Sequence, residues 1–597
     1  MTKVCLFFVI LLSAISSNAQ VQVSMNQLGY YPSAPKIAVI VSDTAFSQFT
    51  ISSAETKSII LKGKPGLQLQ SQNSSHHTQV ADFSKLTTPG TYVFSLGPEV
   101  PSQQFIIRSQ VHQAVGKASL KAFYFQRVSM PLTERYAGAW ARTAGHPDTS
   151  VIIHPSARNA GQSADTILSA PGGWYDAGDY NKYIVNSGIT MGTLMSAWED
   201  FTWYFDTLNV DIPESNNRLP DLLDEVIYNL RWMLLMQDKG DGGVYHKLTN
   251  AAFDGNVMPG VTKLPRYVVQ KSTTATLDFS AVTAQAARIF KAYSKQLPGL
   301  SDSCLDAAKR AWNWAIKNPS VNYNQDSMNL LFEPKITTGT YGDRRYDDEW
   351  FWAAAELAVT TGGEVPEYVD KFFSALNNKY SLPTWSNVYM SGIYSLNRYR
   401  IKNSQTKLAR QLNVTGNIGP RLTAMADEYL SLMSKNAFLT VMGGRGSDFN
   451  WGSNSNAANQ GIVLINAWLE TGKVKYINAA LANLDYILGR NATGYCFVTG
   501  FGRLSPKHPH HRPSEADGVE APVPGLLAGG PNPGMQDKCE YPFKEPETAY
   551  VDANCSYASN EIAINWNAPL VYLANAIEAL QSAAGYSKVA TPTSKRF

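Results

Sequence analysis

The sequence predicts a mainly α fold, an all-helical barrel or toroid preceded by a small β-sandwich. Three observations carry this. After about Gln110, apolar residues recur at 3.6-residue spacing, as in Leu222, Leu223, Val226, Ile227, Leu230, Met233 and Leu234 following Pro220-Asp221. From Val21 to Ile107 the chain instead runs in short β-rich stretches separated by turn residues such as Lys64-Pro65-Gly66 and Pro89-Gly90. Between the helices lie long loops rich in Gly, Pro and Asn, suited to building a site on one face.

Taken in order, the N-terminus reads Met1-Thr2-Lys3, an apolar run Val4 to Leu12, and small residues ending Ser17-Asn18-Ala19. This is the pattern of a secretory signal peptide cut after Ala19, so the protein is expected in the periplasm or outside the cell. The expected organisation is a leader at 1–19, a β-sandwich at 20–109 and a helical domain at 110–586. Strands are expected at Lys36–Val41, Ser58–Leu61, Thr91–Leu96 and Gln104–Ile107. Helices are expected at Leu222–Met236, Ala281–Tyr293, Ser301–Ile316, Glu349–Ala358, Gly461–Leu469, Tyr476–Leu488 and Pro569–Leu580.

Composition narrows the function. Hydrophobic residues at 44% against 17% charged exclude a disordered chain. A formal net charge of +3 leaves no basic surplus for a phosphate backbone, so nucleic acid is not an expected partner. No stretch reaches the roughly 18 uncharged apolar residues of a membrane span. Cys304, Cys496, Cys539 and Cys555 remain after the leader. In an exported protein a Cys539–Cys555 disulfide is expected, the alternative being four free or buried thiols.

Three clusters carry chemistry. Asp176 and Asp179 in Trp174-Tyr175-Asp176-Ala177-Gly178-Asp179 can converge on one water or cation, although an Asx-type turn or a calcium loop reads the same way. His508, His510, His511 and Arg512 form a donor-rich tract better suited to sugar hydroxyls or a carboxylate than to a metal beside a guanidinium. Tyr550, Asp552, Tyr557 and Glu561 precede an apolar run, where Glu561 alone could simply favour a helix dipole.

Together these clusters resemble the family-9 glycoside hydrolases, inverting cellulases with an (α/α)6 barrel. Tyr550-x-Asp552-x4-Tyr557-x3-Glu561-x-Ala563-x3-Asn567-Ala568 follows that family's C-terminal signature at every fixed position. Val498-Thr499-Gly500-Phe501-Gly502 through His510-x-Arg512 follows its histidine signature with one departure, Leu504 in place of Asn, Lys or Arg. Gly173 to Asp179 matches its aspartate loop, and Met25-Asn26-Gln27-Leu28-Gly29-Tyr30 resembles the start of the immunoglobulin-like domain found in one branch.

The resemblance implies Asp179 as general base, Glu561 as general acid and Asp176 sharing the attacking water. It also implies His510 and Arg512 on sugar hydroxyls and Asp552 binding substrate or orienting a neighbour. Trp174, Tyr557 and Trp566 are candidates for stacking on pyranose faces, core packing being the alternative for each. No cofactor is required by such a mechanism. A structural calcium ion, reported in the family, finds candidate ligands in the acidic patch Asp343, Asp347, Asp348 and Glu349, with Asp347 and Asp348 foremost; a solvated helix start explains the same residues. The expected activity is endo-acting hydrolysis of β-1,4-glucan by a monomer. The alternatives are an exo-acting β-glucosidase or exo-glucosaminidase of the same fold, or a binding protein without catalysis.

Overall fold

The computed structural model describes residues 21–159, 162–163 and 166–588; the leader expected at 1–19 lies outside the described residues. Eight strands, β1 (Gln22–Met25), β2 (Ile37–Val41), β3 (Phe49–Ser53), β4 (Ile59–Gly63), β5 (Leu69–Gln70), β6 (His77–Asp82), β7 (Gly90–Ser95) and β8 (Gln103–Ile107), form two antiparallel four-stranded sheets. Their orders are β1-β2-β6-β5 and β4-β3-β7-β8. Tyr30, Phe49, Phe83, Phe94 and Phe105 fill the space between the sheets.

β2 reads as an unbroken apolar run because both its faces are covered. Ala38 and Ile40 point into the sandwich, while Ile37, Val39 and Val41 pack on Ala437, Phe438 and Ala492 of the helical domain. Buried polar bonds fix the same junction: Asn26 Nδ2 donates to Asp485 Oδ1 (2.7 Å) and Tyr31 OH to Glu578 Oε1 (2.6 Å). Gln27 Oε1 accepts from the Arg503 and Leu504 N–H groups, so the loop with the departing Leu504 is held by the sandwich.

Twelve helices of ten or more residues follow among the described residues: α1 (Gln113–Phe125), α2 (Ile184–Asp200), α3 (Asp221–Leu235), α4 (Thr273–Phe290), α5 (Leu300–Lys317), α6 (Asp347–Thr360), α7 (Pro366–Ala375), α8 (Tyr389–Lys402), α9 (Ile418–Met433), α10 (Ser453–Thr471), α11 (Val474–Ile487) and α12 (Ile564–Leu580). The even-numbered helices form the inner layer and the odd-numbered ones the outer. α2 packs on α12 and α4, α4 on α6, α6 on α8, and α10 on α12, with each outer helix against an inner one. Inner helices approach closely through small residues; a Cβ on Gly192 of α2 would lie 2.5 Å from the Trp352 ring of α6. This is the (α/α)6 arrangement. No described helix is long and apolar enough to cross a membrane.

Strict alternation puts the N-termini of all six inner helices at one end. The loops leading into them therefore converge there. The same end carries a five-stranded sheet the sequence did not suggest, built from β9 (Val151–Ile153), β10 (Ile167–Leu168), β11 (Lys182–Tyr183), β12 (Lys247–Asn250) and β13 (Arg266–Val268) in the order β10-β9-β13-β12-β11. Two predicted helices begin well before their expected starts, α4 at Thr273 and α12 at Ile564, because polar Thr, Asn and Ser residues occupy first turns where apolar spacing gives no signal. α2 had no amphipathic signature because nearly every residue in it is buried.

Candidate active site

The aspartate loop runs straight into α2. Asp176 is buried, its Oδ1 accepting from Asn186 Nδ2 (2.6 Å) and its Oδ2 from Tyr341 OH (2.7 Å). Asp179 Oδ2 accepts from Asn181 Nδ2 and from Tyr183 OH (3.4 Å). Asn181 is itself locked, its Oδ1 accepting from Thr249 Oγ1 and Asn250 N of β12, both at 2.9 Å. Burial first, then the charge of Asp179, pushes Asp176 up to about 8. Two neighbouring carboxyl groups thus share one buried site.

Gly178 must be glycine here: a Cβ would lie 2.1 Å from the His510 carbonyl oxygen. That contact brings the second wall against the first. His510 and Glu561 pair in a short parallel bridge, and Arg512 Nη1 donates to the Gly178 carbonyl (2.8 Å). Glu561 stands at the mouth of α12, partly open to the groove. Its pKa is raised well above the usual carboxylate range by burial, then by Asp179 and Asp176, with Arg512 and the Gly178 N–H acting against the shift.

His510 Nδ1 pairs with the Asn554 carbonyl (2.6 Å), which makes it the N–H donor and leaves Nε2 as an acceptor. Burial pushes its pKa down, so the ring is neutral. Its neighbour His511 is fully enclosed between Ser514 and Gln126 and has a structural role.

The other expected residues take the following places. Trp174 is completely buried against Phe123, with its indole N–H toward Glu225 (3.4 Å), so it is a core residue closed to any sugar. Asp552 spends its oxygens on the Lys507 and His508 N–H groups and on Asn560 Nδ2, at 2.7, 2.9 and 3.0 Å; it fixes the turn carrying His510 and makes no direct contact with Glu561. Arg512 is mostly committed to the carbonyls of Asp254 and Gly178. Trp566 is half-buried beneath Gly452 and Gly529. Tyr557 is exposed, with its ring 5.5 Å from that of Trp451. Cys539 and Cys555 are disulfide-bonded, closing the segment before Tyr557, while Cys304 and Cys496 are buried thiols.

The sequence reading missed Tyr341, Trp385 and Trp451. Each lies in the loop just before an inner helix, α6, α8 or α10, and Tyr341 stacks edge-on against Trp385 at 5.2 Å. The signal was positional: an aromatic shortly before an inner helix start.

In the acidic patch, Asp347 is exposed, whereas Asp348 accepts from Val388 N (2.7 Å) and shares its surroundings with Asp278, Asp343 and Glu349. Both carboxyl oxygens of Asp278 and of Glu349, and one of Asp343, are buried without a hydrogen-bond partner. Burial and mutual repulsion raise the pKa of Asp278 and Glu349 well above normal. These hard oxygen donors suit a cation such as calcium in chemistry, although among the described residues no three His, Cys, Asp or Glu side chains converge in the geometry of a metal site.

Comparison with known proteins agrees along most of the chain. The family model for glycosyl hydrolase family 9 matches residues 112–574, and that for the cellulase N-terminal ig-like domain matches residues 18–100. A xyloglucan-specific endo-beta-1,4-glucanase of Bacteroides ovatus is 47% identical over 561 residues, covering 94% of each chain. Endoglucanase D of Acetivibrio thermocellus is 32% identical, covering 92% of this chain and 82% of its own. The solved Bacteroides ovatus GH9 structure superposes with a TM-score of 0.88 at 45% identity, covering 94% of this chain and 99% of that one. A thermostable endoglucanase from Alicyclobacillus acidocaldarius gives 0.81 at 29% identity, covering 93% and 99%.

Proposed function

Since the chain belongs to glycosyl hydrolase family 9, and is a glycoside hydrolase of the endo-β-1,4-glucanase type acting with inversion, we propose that Glu561 and Asp179 perform the displacement on a xyloglucan-type β-1,4-glucan. The carrying observation is that the Gly178–His510 contact, the His510–Glu561 bridge and the Arg512–Gly178 bond bring Glu561 up to the Asp176–Asp179 pair. Glu561 holds its proton because burial and the aspartates disfavour its charge, which is what a general acid to the leaving oxygen requires. Burial and the neighbouring Asp179 push Asp176 up to about 8, which supports the reading in which Asp179 takes the proton from water. A base acting through water on the ring face opposite the acid gives a single displacement.

The supporting groups have definite tasks. Asn181 and Tyr183 orient the Asp179 carboxylate, and Tyr341 and Asn186 hold Asp176. Neutral His510 offers Nε2 to a sugar hydroxyl. Tyr557 and Trp451 supply exposed ring faces for stacking. No cation seat is proposed: the unpartnered oxygens of Asp278 and Glu349 suit a cation in chemistry but do not converge with Asp348 in the geometry of a metal site. Export through the leader expected at 1–19 is likewise part of this reading, supported by the Cys539–Cys555 disulfide.

Xyloglucan is the preferred polymer because the Bacteroides ovatus relative is named for it. Initial rates on xyloglucan, mixed-linkage glucan and amorphous cellulose, with viscosity followed alongside reducing ends, test the proposal. Rapid viscosity loss with xyloglucan fastest is expected. Release of only terminal sugars at constant viscosity would replace it with the exo-acting reading.

A further inference from the structure

β12 and β13 are joined by a 15-residue connection, 251–265, where an antiparallel hairpin commonly uses two to five. Connections of that length usually bind or gate something. This one is pinned along its course. Asn250 Nδ2 donates to Asp254 Oδ2 (2.5 Å), Arg512 Nε to the Asp254 carbonyl (2.9 Å) and Tyr180 OH to the Val257 carbonyl (2.5 Å). Pro259 backs directly onto Gly145, where a Cβ would lie 2.5 Å from the Pro259 backbone. On the opposite wall Asn256 Nδ2 donates to Asn554 Oδ1 (3.1 Å), and the carbonyl of that same Asn554 holds His510.

The strap is therefore tied to the aspartate wall through Tyr180 and to the acid wall through Asn554. What it presents between those ties is Phe253, 47% exposed, with the Arg512 guanidinium 5.6 Å from its ring centre. A large apolar ring held out of the core by a rigid loop, beside a buried cation that bonds the aspartate loop, offers a flat face to a ligand. Asn256 is exposed next to it, with amide groups that can both donate and accept. That pairing, one aromatic face and one amide, matches the apolar face and equatorial hydroxyls of a pyranose.

We infer that Phe253 and Asn256 form a further pyranose subsite of the groove, taking a glucosyl unit beyond those gripped at the carboxyl groups. The inference rests on the glucanase reading and adds to it a length dependence set by the 251–265 strap.

The test compares the full chain with Phe253→Ala and Phe253→Tyr on cellotriose through cellohexaose. Phe253→Ala is expected to lose about 3- to 10-fold in kcat/KM on the longer oligosaccharides. Most of that loss falls in KM, cellotriose is spared, and Phe253→Tyr restores the wild-type profile. An equal loss at every length, or none at any, overturns the subsite. Calorimetric titration with cellohexaose reads the same ring without turnover: weaker binding by Phe253→Ala supports the subsite, and unchanged binding overturns it. A wild-type protein that binds cellohexaose through Phe253 yet hydrolyses no glucan would sink the glucanase reading and uphold the subsite.

Discussion

On one wall of the groove Asp176 and Asp179 take donors from Asn186, Tyr341, Asn181 and Tyr183, whereas on the other Glu561 receives one backbone N–H and the field of Arg512. The donors favour the charged form on the aspartate wall, whereas burial and the two aspartates push Glu561 up on the other. Both carboxyl-bearing loops precede inner helices, so the difference does not come from the barrel. It comes from the neighbours: β11 and β12 brace the aspartate loop with amides, while Glu561 is buried with the charges of Asp179 and Asp176 beside it.

The largest expected effect tests that contrast directly. Glu561→Gln should lose about 10³-fold or more on xyloglucan or cello-oligosaccharides, yet retain most activity on a dinitrophenyl glycoside, whose leaving group needs no proton. Asp179→Asn should lose about 10²–10⁴-fold on both substrates, because water activation is needed in each case. Asp176→Asn should be the milder of the aspartate changes; were it the more severe on every substrate, the two roles would have to be exchanged.

Asp176 also sharpens the comparison through stability. Its pKa is raised on folding to about 8, so the folded state binds the extra proton and stability falls as pH rises between about 4 and 8. Replacing it with Asn removes that penalty. Thermal unfolding of Asp176→Asn should therefore rise by a few degrees relative to wild type at pH 8 and match it at pH 4. A constant difference at both pH values would mean that Asp176 is not held protonated.

The sequence carried the chemistry further than the architecture. Glu561, Asp176 and Asp179 were legible because short motifs fix them, and the sandwich because alternation and turn residues mark short strands. Helices buried on all sides, such as α2, carry no periodic signature, and the five-stranded sheet arises from strands of two to four residues far apart in the chain. For Trp174 the sequence leaves stacking and core packing both open, and the structure decides for the core. An aromatic in a catalytic motif can serve the core beneath the loop, and only packing against Phe123 reveals which. Tyr341, Trp385 and Trp451 belong to no motif and became functional candidates once the inner helix starts were seen to share one end.

The smallest expected effect lies farthest from the groove. Tyr31→Phe removes the hydroxyl that bonds buried Glu578 at the sandwich–barrel junction, a loss of about 1–3 kcal/mol. Melting should drop while kcat/KM stays within about twofold. A large activity loss at unchanged melting temperature would tie the sandwich to the chemistry itself.

The account stands on Asp179 delivering water to the face opposite Glu561. Proton NMR of cellopentaose or xyloglucan oligosaccharide hydrolysis, recorded within the first minutes before mutarotation, reads that geometry directly. The α-anomer should lead among the new reducing ends, as a single displacement on a β-linked chain demands. Early accumulation of the β-anomer would require a covalent intermediate on a carboxylate and would contradict the assignment of Asp179 as base.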